Sequence, residues 1–225
     1  MSDGTGGAAL RAFGEVCLTI GVVVVLFFGY LFWGSGLRAD QAQRQFTAQL
    51  EHAWHAPAPA RTRMPADPIS LVTGEPFAFI RIPAFGAHWR FTIVQGTALA
   101  QLDVSPGHVP GTQLPGQVGN FAVAGHRVTA GNPFWSLPSL AAGDRVFIDT
   151  RYVTYTYRVT GKPTWVLPTD LAVLDPVPSR PGVTPSRRLL TLITCDPAWT
   201  GTHRVIVTGV LTAVHPNSTG GNGQP

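Results

Sequence analysis

Lysine is almost absent: of the 16 basic residues in this 225-residue chain, Lys162 is the sole lysine and the other fifteen are arginines. Charge is sparse as well, at 12% of residues, and the net charge of +4 is dispersed. Such dispersal excludes the clustered basic patch that nucleic-acid binding requires. The shortage of Glu, Lys and Gln argues against a helical bundle, whose exposed faces draw on those residues. Cysteine is scarce, with only Cys17 and Cys195. Cys17 falls inside an apolar run, so a bridge would tie a folded domain to a bilayer core, and Cys195 is read as a free thiol. No paired Cys/His ligand spacing points to zinc, and no motif calls for a cofactor. What is plentiful is Gly (25), Pro (20) and apolar side chains (44%). Scattered Gly and Pro among apolar runs suit a turn-rich β protein.

The run VCLTIGVVVVLFFGYLFW, residues 16–33, carries no charge over eighteen positions. At about 1.5 Å per residue it spans roughly 27 Å, close to a bilayer core. Tyr30 and Trp33 suit an interfacial aromatic belt. A cleaved signal peptide is the alternative, but the run is long for one and lacks a small-x-small exit. The expected organisation is a tail at 1–15 and a transmembrane anchor at 16–34. A juxtamembrane segment and Pro/Ala-rich linker follow at 35–68, then a folded domain at 69–214 and a disordered tail at 215–225. Arg11 precedes the run and Arg38 and Arg44 follow it. Charge alone therefore weakly disfavours export of the C-terminal part.

Within the folded domain, β-branched and aromatic runs between Gly/Pro/Asp clusters read as strands. They lie near 77–83, 89–95, 120–125, 144–149, 152–166 (one bent strand or two), 188–195 and 203–214. Short helical turns are expected at 97–102, 133–140 and 169–174. This pattern predicts a mainly all-β domain, a barrel or sandwich of seven to eight strands with short helices.

The stretch TLITCDPAWTGTHRVIVTG, residues 191–209, carries the chemistry. Cys195 ends an apolar strand just before Asp196-Pro197, where a thiol can face a loop. Arg204 stands nine residues later at the head of the next strand. Each has a plainer reading, Cys195 as a small core hydrophobe and Arg204 as a solvated strand-edge side chain. His126, in FAVAGHRVTAGNPFWSL, follows a strand tip, a position suited to a fixed acid or base. His52, His55, His88, His108, His203 and His215 read as surface histidines.

Together TLITC, HRVIVTG and AGHR resemble the sortases, membrane-anchored cysteine transpeptidases of Gram-positive bacteria. The supporting run LPGQVGNFAVAGHRVTAGNPFWSLPSLAAGDRVFI is similar to the family's PG-x-x-GN-x-x-x-AGH, F-x-x-L and GD pattern. The resemblance covers roughly residues 75–214 and is greatest to class E, the housekeeping type of high-GC actinobacteria. It departs at Ala130, where a tyrosine is common, and at Asp196, where histidine is frequent.

The resemblance implies a closed sortase-type barrel behind an N-terminal transmembrane helix. It implies Cys195 as nucleophile, His126 as general acid/base and Arg204 as the oxyanion and substrate-positioning group. Thr194, Leu171, Val173 and Leu174 are candidates for the substrate groove; the last three have packing of their loop onto the barrel as an equal alternative. The implied substrates are LAxTG or LPxTG sorting peptides of exported proteins, cleaved between Thr and Gly through a thioester. The implied acceptor is a cell-wall precursor amine of the lipid II type, with the N-terminus cytoplasmic and the catalytic domain outside. A non-catalytic wall-binding barrel and a hydrolase that releases the peptide to water are the competing expectations.

Overall fold

The computed structural model describes residues 4–30, 35–55 and 71–217. Two helices lead, α1 (Gly4–Gly29) and α2 (Ser35–His55). The strands are β1 (Pro76–Arg81), β2 (Arg90–Gln95), β3 (Gly107–His108), β4 (Gly119–Ala124), β5 (Arg145–Asp149), β6 (Val153–Val159), β7 (Thr164–Val166), β8 (Arg188–Asp196) and β9 (His203–Pro216). A one-turn helix, α3 (Leu99–Leu102), and 3-10 turns at Pro83–Phe85, Leu137–Ser139 and Leu171–Leu174 fill the connections.

Eight strands form a ring in the order β6-β5-β1-β2-β3-β4-β8-β9, closed by the β6–β9 pairing, with β7 attached to β9. The fold is therefore the closed eight-stranded barrel with short helices that the sequence leads one to expect. Neighbours are antiparallel except β2–β3 and β4–β8, which are parallel. Alternation sorts the side chains. Phe121 and Val123 of β4, Leu190 and Leu192 of β8, and Val207 of β9 point inward to one core with Ile80, Ile93, Ile148 and Tyr157. Burying each such side chain contributes about 1.5–3 kcal/mol.

One open reading is decided, and two details differ from expectation. The run at 152–166 divides into β6 and β7 around Gly161-Lys162-Pro163, since a proline has no N–H for the ladder. β3 has only two residues, too few to show periodicity. β9 continues to Pro216, with His215 opposite Thr154, and Asn217 donates through Nδ2 to the Thr150 carbonyl (2.8 Å). The ordered chain thus passes the point at which a tail was expected; residues 218–225 lie outside the described residues, as does the linker at 56–68.

Within α1, Leu10–Gly29 is long and apolar enough, by length and composition, to cross a membrane. Residues 31–34 of the expected anchor lie outside the described residues.

α2 packs on the barrel. Phe79 and Thr92 face each other across β1 and β2, on the outer side, yet they are 1% and 0% exposed. The Trp54 ring meets Phe79 edge-on at 5.2 Å. Gln43 accepts from the Thr92 N–H (2.9 Å) and hydroxyl (3.1 Å), and its amide donates to the Val104 carbonyl (3.0 Å). Ala39 and Leu50 are buried. The segment expected to lie between membrane and domain is thus one wall of the folded unit. Its apolar and amide side chains satisfy groups that the sheet leaves exposed.

Candidate active site

Three neighbouring strand ends create the site. β4 and β8 run parallel in register, Ala124 beside Ile193. The Gly125 N–H extends that ladder by donating to the Ile193 carbonyl (3.0 Å). Gly125 must be small, since a Cβ there would lie 2.8 Å from the Phe134 ring. The next residue, His126, therefore emerges beside the end of β8. On the other side, β9 runs antiparallel and places Arg204 directly opposite Cys195. Register partners point to the same face, so thiol and guanidinium meet on the outer face of the barrel. The structure thus brings Cys195, His126 and Arg204 to one end of adjacent strands.

The β8–β9 loop returns toward the sulfur. Gly201 has φ +60°, the left-handed region. A Cβ built on it would sit 3.7 Å from both Cys195 Sγ and Arg204 Nη1. The Gly201 carbonyl accepts from Arg204 Nη1 at 2.7 Å, and the His203 carbonyl accepts from the same nitrogen at 3.0 Å. The backbone thus holds one guanidinium nitrogen and leaves the remaining donors for a ligand. Cys195 is half-buried and free, and Cys17 is also free.

Nε2 of His126 lies 3.3 Å from the Asp103 carboxylate, just past α3; the two side chains are 22% and 65% exposed. A carboxylate accepts, so in the neutral ring Nε2–H donates and Nδ1 keeps the lone pair. Asp103 thereby orients the imidazole. It is invisible in the sequence, standing 23 positions away.

Thr194 is 2% exposed, and its hydroxyl donates to the Gly125 carbonyl at 2.8 Å. It faces away from the thiol, so it supports the site from beneath and does not line a groove. Of the loop residues proposed for the groove, Leu171 is 67% exposed and Val173 6%; Leu174 is half-buried. The Val173 carbonyl accepts from Asn120 Nδ2 at 3.1 Å, and Asn120 Oδ1 accepts from the Thr191 hydroxyl at 2.7 Å. Val173 therefore fastens its turn to the sheet, while Leu171 is presented to solvent on the barrel face that carries Cys195.

One histidine departs from its expected place. His108 is 1% exposed. It stacks on Phe121 with ring centroids 5.3 Å apart and has Gln95, Thr112 and Gln113 at its ring nitrogens. Burial lowers its pKa from the usual imidazole range. Its strand is a two-residue bridge between β2 and β4, which carries it into the wall. Among the described residues no group of three His, Cys, Asp or Glu side chains is placed to hold a metal ion.

Comparison with known proteins agrees with this geometry. Residues 80–212 match the sortase domain family. Sortase SrtE1 of Streptomyces coelicolor is 32% identical over 224 residues, covering 96% of this chain and 61% of that protein. This chain thus spans about three fifths of that relative's length. The structure of sortase E from Streptomyces avermitilis is 41% identical with a TM-score of 0.59, covering 64% of this chain and 93% of that one. The crystal structure of sortase E1 from S. coelicolor, with a tripeptide in its active site, is 32% identical with a TM-score of 0.60. It covers 68% of this chain and 98% of that one. A family domain over most of the barrel, and relatives of the E class along nearly all of the sequence, lead to one conclusion: this chain belongs to the sortase family, whose members are cysteine transpeptidases.

Proposed function

We propose that this sortase cleaves a C-terminal sorting peptide between Thr and Gly and transfers the acyl part to a cell-wall amine. The observation that carries the reading is the register pair Cys195–Arg204 with His126 at the adjoining strand end. The Cys195 thiolate attacks the Thr carbonyl carbon, and the carbonyl oxygen becomes an oxyanion. Arg204, held through Nη1 by the Gly201 carbonyl, donates to that oxygen; such fixed donors act where charge develops. The C–N bond breaks, the His126 imidazolium gives its proton to the departing Gly amine, and a thioester remains. An incoming amine attacks the thioester, His126 takes up its proton, and the thiolate is released. The thioester conserves acyl-transfer energy, so the exchange needs no nucleotide.

In this reading α1 anchors the chain in the membrane with its N-terminus cytoplasmic and the barrel outside. The substrate motif is LAxTG or LPxTG, and the acceptor is a lipid II-type precursor amine. Leu171, Leu174 and the 168–187 connection border the substrate groove, with Val173 fixing the turn from below.

The test uses the full chain in detergent, incubated with LAxTG and LPxTG peptides, with and without a glycine or diamino acid nucleophile. Mass spectrometry follows adduct and products. An adduct on Cys195 and an amine-dependent ligation product support the proposal, and Cys195→Ala abolishes both. Cleavage without ligation in every acceptor assigns the chain to hydrolysis. A folded chain with a reactive thiol and no adduct from either peptide would overturn the reading.

A further inference from the structure

The residues immediately after His126 and Cys195 are joined as well. Arg127 Nη1 makes an ion pair with Asp196 Oδ1. The second carboxylate oxygen of Asp196 accepts from Trp165 Nε1 of β7 at 2.9 Å, and the Arg127 guanidinium lies 5.9 Å from the Trp135 ring centroid. The Arg127 and Asp196 side chains are only 18% and 24% exposed. Asp196 is opposite His203 on β9, one step out of phase with the Cys195–Arg204 pair. Alternation therefore sends its carboxylate to the face opposite the thiol. The pair sits at the strand end beside the reacting groups, and Arg127 Nη1 also donates to the Cys195 carbonyl at 3.5 Å.

We propose that the Arg127–Asp196 pair is a positioning device, tying the loop that carries His126 to the strand end that carries Cys195 so that imidazole and thiol keep one separation. The proposal rests on the catalytic reading of those two residues. Its physical basis is a symmetrical bracket. Before the two residues, the Thr194 hydroxyl holds the Gly125 carbonyl at 2.8 Å; after them, a charge-assisted bond holds Arg127 to Asp196. His126 follows β4 and lies in a loop, and without the second tie only one side of its backbone is fixed to β8.

The experiment compares the full chain in detergent with Asp196→Asn, Arg127→Met, the double variant and Arg127→Lys. It records kcat and KM for an accepted sorting peptide at fixed pH, with thermal melts alongside. The expected result is a loss of about 10- to 100-fold in kcat for each neutral variant with KM little changed. The double variant is no worse than either single, and Arg127→Lys recovers much of the rate. Rates within twofold of wild type or additive losses would overturn the proposal. A loss that tracks melting temperature and is not relieved by Arg127→Lys overturns it too, by assigning the pair to stability alone. Cys195→Ala separates the two levels: if it still ligates, the catalytic reading fails whatever the pair does.

Discussion

The Thr194 hydroxyl donates across 2.8 Å to the carbonyl of Gly125, so the residue before the thiol grips the residue before the imidazole. Both groups are at the floor of the site, where an unpaired carbonyl is costly. Thr194→Val keeps the shape and removes the bond, leaving the Gly125 carbonyl unsatisfied at a cost of about 1–3 kcal/mol. The expected outcome is a lower melting temperature together with a fall in kcat/KM. Thr194→Ser restores most of both, as read by calorimetry and peptide kinetics.

The helix α2 supplies a second prediction. Gln43 satisfies Thr92 and reaches Val104, the residue after Asp103. A soluble chain beginning at residue 57 lacks this helix and exposes Phe79 and Thr92; a chain beginning at residue 35 keeps them covered. The longer chain is expected to melt higher by about 5 °C or more and to turn over faster. Equal melting temperatures would show the helix to be dispensable.

Gly201 offers a third. Its φ of +60° costs an L side chain roughly 1–2 kcal/mol. A Cβ would find room, at 3.6 Å from the nearest atom of Cys195, so the penalty is one of backbone conformation. Gly201→Ala shifts the carbonyl that holds Arg204 and is expected to lower kcat/KM about tenfold. Intrinsic alkylation of Cys195 should change much less, which iodoacetamide labelling would measure.

His108 gives stability a pH dependence. Desolvation, the largest influence, lowers its pKa in the folded state, so between the folded value and the unfolded value near 6.5 the unfolded chain binds the extra proton. The contribution is complete above about pH 6.5 and is lost as pH falls through that window. Melting temperature is expected to decline on acidification below about pH 6.5. His108→Gln should flatten the decline, and an unchanged slope in that variant would assign it to other groups.

Much of the site was legible because strands announce themselves by alternation. RLLTLITC and HRVIVTG fix β8 and β9, and the short connection between Cys195 and Arg204 leaves little freedom for their pairing. AGHR places His126 at a strand tip, and Arg127 was visible in the same motif although nothing local shows its partner. What stayed hidden depends on distant segments. Asp103 reaches His126 from a loop with no periodic signal. His108 enters the wall through a two-residue strand, and Phe79 is covered by a helix that reads locally as a polar juxtamembrane segment. Thr194 was grouped with the groove, although strand parity already turned its side chain inward; its partner, a backbone carbonyl, leaves no mark in sequence.

Ring closure through β6 and β9 also bears on behaviour among crowded copies. The strand outside the ring, β7, is three residues long, and its Trp165 indole is engaged by Asp196. Exposed strand edges template pairing between copies, and long flat ones seed aggregation. A protein held at high local density meets its own copies often. By pairing β6 with β9, this barrel leaves neighbouring copies little open ladder among the described residues on which to add.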